Sequence, residues 1–189
     1  QNVLHNGHLL HQLLDGDLLV DGLLVGLVPD DDEITTTASQ REKSGAWFYE
    51  MTDLGYNYRI TDFQCALGSS QLKKLDQWIE KRNALAQSYD AALASTAIRP
   101  LTKHAHVLHA YHLYVVRTPD RDNTFKRLRE AGIGANVHYI PVHLHPYYQN
   151  LGYKKGSCPV AEAAYTEILT LPLWPGMVTE DVTRVVAEL

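Results

Sequence analysis

A capped apolar stripe beginning near residue 61 sets the first limit on the architecture of this chain. Thr61 and Gln64 stand three apart in the Ser/Thr-x-x-Glu/Gln pattern of a capping box, in which each side chain satisfies an unpaired backbone N–H at a helix start. Leu72, Leu75, Ile79, Ala86, Tyr89 and Leu93 come next at spacings of three, four or seven, which puts them on one helical face. Lys73, Lys74, Lys81 and Arg82 fall mostly on the other side, as a solvated face. The pattern predicts one long helix from about Asp62 to Ala94, ended before Arg99-Pro100.

That C-terminal half alternates short strands and helices. Tyr111 to Arg117 is rich in aromatic and β-branched residues and reads as a strand. Phe125 to Ala131 reads as a helix closed by Gly132, Asn136 to Ile140 as a strand, and Pro141 to Gly156 as a long loop. Pro159 suits the first turn of a helix ending near Ile168. Leu169 to Leu171 is a short strand, residues 172–176 a turn, and Val182, Val185, Val186 and Leu189 form one face of a last helix. No internal repeat is visible.

Residues 1–33 differ from the rest. Leucine dominates, glycine and aspartate punctuate it, and no arginine or lysine occurs before Arg41 and Lys43. Two readings fit: short elements joined by turns, since each glycine costs a helix about 1 kcal/mol, or a frame-shifted translation that returns to frame near Ile34. His5, His8 and His11 have neither a fourth ligand nor supporting partners, which argues against a metal site. The initial Gln1 in place of Met points to a fragment or a processed product. Residues 34–60 are a connecting loop carrying the aromatic cluster Trp47-Phe48-Tyr49, which calls for burial or an interface. Residues 61–189 form the main domain.

With 45% hydrophobic and 21% charged residues the chain has a globular balance, and its net charge of -5 argues against a nucleic-acid partner. No apolar run reaches the roughly 18 residues of a membrane span, and no basic stretch precedes an apolar one as in a signal peptide. Cys65 and Cys158 are too few for a disulfide scaffold and read as thiols of a cytoplasmic protein.

Three clusters carry candidate chemistry. Asn57 and Arg59 lie just ahead of the capped helix, where unpaired N–H groups and the helix dipole favour anions; the guanidinium fork suits phosphate or carboxylate. The competing reading is a loop with Arg59 paired to Asp62 or Glu50. Val137 to Tyr148 packs His138, His143 and His145 with Tyr139, Tyr147 and Tyr148 at a strand-to-loop edge. Such side chains bind polar ligands and titrate near neutrality, and without nearby Cys, Asp or Glu they do not form a metal set. His104 to His112 has no structural-zinc spacing and reads as a surface loop entering a strand.

Several of these segments, in order, resemble the DegT/DnrJ/EryC1/StrS sugar aminotransferases, which share the aspartate-aminotransferase fold. The matching text is Trp47-Phe48-Tyr49-Glu50-Met51, then Leu54-Gly55-Tyr56-Asn57-Tyr58-Arg59 through Leu72. Tyr111 to Val116, His138-Tyr139-Ile140-Pro141-Val142-His143 with Pro146-Tyr147-Tyr148, Cys158 to Glu162 and Leu171-Pro172-Leu173 complete it, covering roughly residues 34–189. Within the family the likeness is greatest to the transaminases that make the 4-amino sugar precursor of pseudaminic acid.

The resemblance implies an α+β fold, the C-terminal small domain of a type I pyridoxal-phosphate-dependent transferase, with a short, mainly antiparallel sheet and flanking helices. It implies transfer of an amino group, usually from L-glutamate, to a keto nucleotide sugar by a homodimer. By the same resemblance Asn57 is offered to the cofactor phosphate, and Arg59, His138, Tyr139 and His143 to the substrate; for Asn57 and Arg59 this favours the anion-binding reading. The family's cofactor-bonding lysine lies upstream of the Trp47 segment, where this chain has the leucine-rich region and no lysine. No catalytic residue is therefore assigned, and the chain is expected to be inactive alone. A non-catalytic binding or dimerisation module and a decayed gene product are the alternatives.

Overall fold

The computed structural model describes Lys43, Gly45, residues 47–51 and residues 60–189. The 1–33 segment, most of the 34–60 connector, and Asn57 and Arg59 lie outside the described residues.

The capping box forms as the sequence predicts. Thr61 N–H donates to Gln64 Oε1 at 2.9 Å and Gln64 N–H to Thr61 Oγ1 at 3.3 Å, starting helix α1, Asp62–Leu72. The single long helix does not form. A second helix, α2, runs Leu75–Leu93 after a break at Lys73-Lys74. There Lys74 N–H reaches back three residues to Gln71 O at 2.9 Å, a tightened turn that interrupts the regular ladder. Lysine is a good helix former, so residue preference gives no sign of it. The apolar stripe is also buried over only part of its length: Leu85, Ala86, Tyr89 and Leu93 enter the core, whereas Leu72 and Leu75 stay 64% and 42% exposed.

Three strands form an antiparallel sheet in the order β1 (Arg99–Pro100), β2 (Tyr114–Arg117), β3 (Ile168–Leu171). This is the short antiparallel sheet with flanking helices that the sequence predicts. Tyr114 faces Leu171 and Val116 faces Leu169 in register, and all four are buried. Strand β2 starts three residues later than predicted. Tyr111 adopts φ 46°, a left-handed conformation outside strand geometry, and the Arg82 guanidinium takes the carbonyls of Tyr111 and His112.

Helix α3, Arg121–Glu130, ends in a Schellman motif. Gly132, at φ 72°, donates its N–H to Arg129 O, and Ile133 N–H bonds Leu128 O at 2.8 Å. Leu128 and Ile133 are both buried, supplying the apolar contact that accompanies this motif.

The predicted strand at Asn136 to Ile140 is only a bridge. Asn136 exchanges both backbone hydrogen bonds with Thr170, but its Oδ1 then takes the next amide, Val137 N–H, at 2.8 Å, and the ladder stops. The predicted loop at Pro141 to Gly156 contains a 3-10 turn, Val142–Leu144, and helix α4, Pro146–Asn150. Pro146 occupies the first helical turn, where its missing N–H costs nothing. Pro159 starts α5, Pro159–Glu167, in the same way. Helix α6, Thr179–Ala187, packs on α2 through buried Val182 and Val185. No helix among the described residues is long and apolar enough to cross a membrane.

Candidate active site

A cavity of about 420 Å³ opens between the loop after α3, the exit of β3 and helix α6. The backbone exchange between Asn136 and Thr170 fixes its floor. From that floor His138 turns its Nδ1 to Thr170 Oγ1 at 2.9 Å, and its Nε2 lies 3.3 Å from Asn136 Nδ2. These contacts orient the imidazole, and its edge and the 38% exposed Tyr139 line the cavity. Their rings meet edge to face, with centroids 4.6 Å apart.

The opposite wall carries Trp174, Asp181 and Arg184, which the sequence alone does not single out. Asp181 accepts Val178 N–H at 3.0 Å, and Arg184 donates to Ala131 O at 3.1 Å. Both charges are thus anchored on backbone while lining the space. In the sequence Trp174 reads as part of a turn, and Asp181 and Arg184 as the polar face of the last helix. At the rim, Arg82 ties the entry of β2 to the exit of β3, with one guanidinium nitrogen 2.9–3.2 Å from Tyr111 O, His112 O and Leu173 O.

His143 does not line this cavity. It is buried, and its Nε2 lies 2.8 Å from Glu162 Oε1. Glu162 also accepts the N–H groups of Gly156 and Cys158, so one carboxylate gathers the 3-10 turn, the 154–158 turn and α5. The hydrogen bond from His143, reinforced by those N–H groups, holds the Glu162 carboxyl below its ordinary pKa of 4.5. Its contribution to stability is therefore present above that value and lost as pH falls through the depressed folded value. Urea titrations at stepped pH should show the midpoint falling in that acid window, and Glu162→Gln should flatten the slope. An unchanged slope in the variant would assign the acid sensitivity to another group.

In the aromatic cluster Trp47 is buried and Phe48 and Tyr49 are partly buried, and the cluster anchors a strap. Trp47 packs edge-on against Phe48, Phe125 and Tyr165, with the Arg121 guanidinium 4.6 Å from its ring centre. Tyr49 lies against His145, and burial pushes its hydroxyl up to about 12. Met51 N–H donates to His145 Nδ1, and Met51 O accepts Tyr147 N–H, each at 3.0 Å. The strap therefore runs from α3 and α5 to α4 before entering residues 52–59. The His104–His112 segment is mostly exposed, as predicted.

Whether these residues could bond a pyridoxal group is decided by where the amines lie. All eight lysines of the chain are exposed and none lines the cavity. The described residues do not fit covalent attachment of that cofactor. They offer hydrogen-bonding and aromatic groups to one side of a ligand.

The DegT/DnrJ/EryC1/StrS aminotransferase family matches over residues 26–189. The spore coat polysaccharide biosynthesis protein SpsC of Bacillus subtilis is 39% identical over 153 residues, covering 76% of this chain and 39% of SpsC. Spr1654 of Streptococcus pneumoniae, solved in its PLP-form, superposes with a TM-score of 0.64 at 29% identity, over 84% of this chain and 43% of that one. Helicobacter pylori PseC, an aminotransferase involved in the biosynthesis of pseudoaminic acid, gives 0.63 at 26% identity, over 82% and 46%. The chain spans about two fifths of the length of the curated relatives it matches.

Proposed function

Because the chain belongs to the DegT/DnrJ/EryC1/StrS aminotransferase family, we propose that it supplies the small-domain side of a pyridoxal-phosphate-dependent sugar aminotransferase active site. The reaction is amination of a keto nucleotide sugar for amino-sugar biosynthesis, with L-glutamate as donor and a cytoplasmic homodimer as the working form. The observation that carries this reading is the cavity itself, in which the family-matched pair His138-Tyr139 faces a bounded space at the end of a strand.

His138 is oriented by Thr170 and Asn136, so it can exchange a hydrogen bond with a sugar hydroxyl without first ordering its ring. Tyr139 adds an aromatic face and a hydroxyl. Asn57 is assigned to the cofactor phosphate and Arg59 to the substrate anion. His143, offered to the substrate by resemblance, does not line this cavity and is held by Glu162 instead. The pseudaminic acid branch is the finer reading; the likeness to PseC supports it. The group that supplies the electron sink when bound is pyridoxal phosphate; this chain contributes orientation and anion binding.

The surface position of every lysine supports a second statement, that the chain alone holds no cofactor covalently. The test is the visible absorption spectrum of the purified chain with pyridoxal phosphate, followed by borohydride reduction and peptide mapping. The expected result is no single labelled lysine. One uniquely labelled lysine would overturn it and make this chain a catalyst in its own right. Failure to gain activity on mixing with an intact homologue favours the non-catalytic module instead.

A further inference from the structure

His145 has no role in the proposed function, yet it is 7% exposed and makes a long-range contact, to a backbone amide 94 positions away. Its Nδ1 accepts Met51 N–H at 3.0 Å, which fixes the neutral tautomer with the proton on Nε2. The neighbouring bond, from Tyr147 N–H to Met51 O at 3.0 Å, comes from the helix that His145 begins. Two hydrogen bonds thus fasten the last described residue of the strap to one helix end. Beyond that residue the chain leads to Asn57 and Arg59.

We propose that His145 is a positioning residue, a proton-sensitive clip that fastens the strap of residues 47–51, the stretch that precedes Asn57 and Arg59 in sequence, to the start of α4. The reason is chemical. A protonated imidazole has two N–H groups and no acceptor, so it must repel the Met51 amide it now binds. The titratable group that faces it is Tyr49, across its ring, whose hydroxyl stays protonated; His143, held by Glu162, lies two residues back in sequence. Burial favours neutral His145, so the clip is closed at neutral pH and opens as pH falls below the ordinary histidine value of 6.5. Its link to cofactor phosphate rests on the proposed function; the clip does not.

Hydrogen exchange read by mass spectrometry on the whole chain separates the two. In a peptide covering Met51, protection relative to the intrinsic rate should drop about tenfold on acidification through the clip's titration and in His145→Leu at neutral pH. His145→Asn, whose amide oxygen can stand near the Nδ1 position, should keep the protection and lose the acid step. Protection at Val116 in the central strand reports that each variant is folded. Equal Met51 protection in folded His145→Leu, or the same acid step in His145→Asn, overturns the clip. Binding of inorganic phosphate is measured in parallel. If the clip behaves as stated while phosphate fails to bind, the anion-binding reading of Asn57 and Arg59 fails and the clip stands.

Discussion

Replacing Arg82 with methionine is expected to lower the unfolding free energy by about 2–4 kcal/mol. The two N–H groups of one guanidinium nitrogen are shared among Tyr111 O, His112 O and Leu173 O, which joins α2 to the entry of β2 and the exit of β3. A hydrogen bond to a charged group contributes about 1.5–3 kcal/mol. Two N–H groups give two such bonds, which sum to more than the stated loss, but Arg82 is half-buried and water can reach some of the freed carbonyls. Methionine keeps the apolar stem, so the difference isolates the charged head. Arg82→Lys should recover only part, since its ammonium ends a shorter side chain and does not reach the place of the outer guanidinium nitrogen. Urea denaturation of the three proteins measures it. A change under about 0.5 kcal/mol for the methionine variant, the size of an ordinary surface substitution, would mean that the carbonyls are held by the fold without Arg82. Because His112 and Leu173 line the cavity, the same variant should loosen its rim.

The second large effect is at Leu128, which is fully buried and whose carbonyl closes the Schellman motif on Ile133 N–H. Leu128→Ala leaves a cavity in packed surroundings and is expected to cost about 3 kcal/mol, within the range of about 2–5 for such truncations. For a domain of ordinary stability, about 5–15 kcal/mol, that is a large fraction. The control is Leu151→Ala, at a position 62% exposed, which should change stability by less than about 0.5 kcal/mol. Equal losses at the two positions would contradict the burial of Leu128.

Much of the fold is legible in the sequence because it rests on local signals. The Thr61–Gln64 box and Gly132 past the end of α3 satisfy backbone groups within a few residues, and Pro159 removes a donor that the start of α5 would leave unpaired. Short-range chemistry of this kind is written in consecutive letters. The helix break at Lys73-Lys74 is not legible, since two lysines carry no breaking preference. The strand at Asn136 to Ile140 fails for a related reason. Its residues suit a strand, but whether Val137 N–H joins a ladder depends on an asparagine side chain and a partner strand 34 residues on.

The site divides along the same line. The order of residues is enough to establish the family motifs, the His138-Tyr139 pair, the capped helix behind Asn57 and Arg59, and the absence of a lysine in the leucine-rich region. Packing in three dimensions is needed to turn His138 and Tyr139 toward a cavity while His143, five residues further, turns away to Glu162. Packing likewise brings Asp181 and Arg184 of the last helix to complete that cavity, and sets His145 against Met51. The physical reason is that a side chain's chemistry is a local property. Its direction and its partner depend on which distant backbone groups the packed elements bring within hydrogen-bond range.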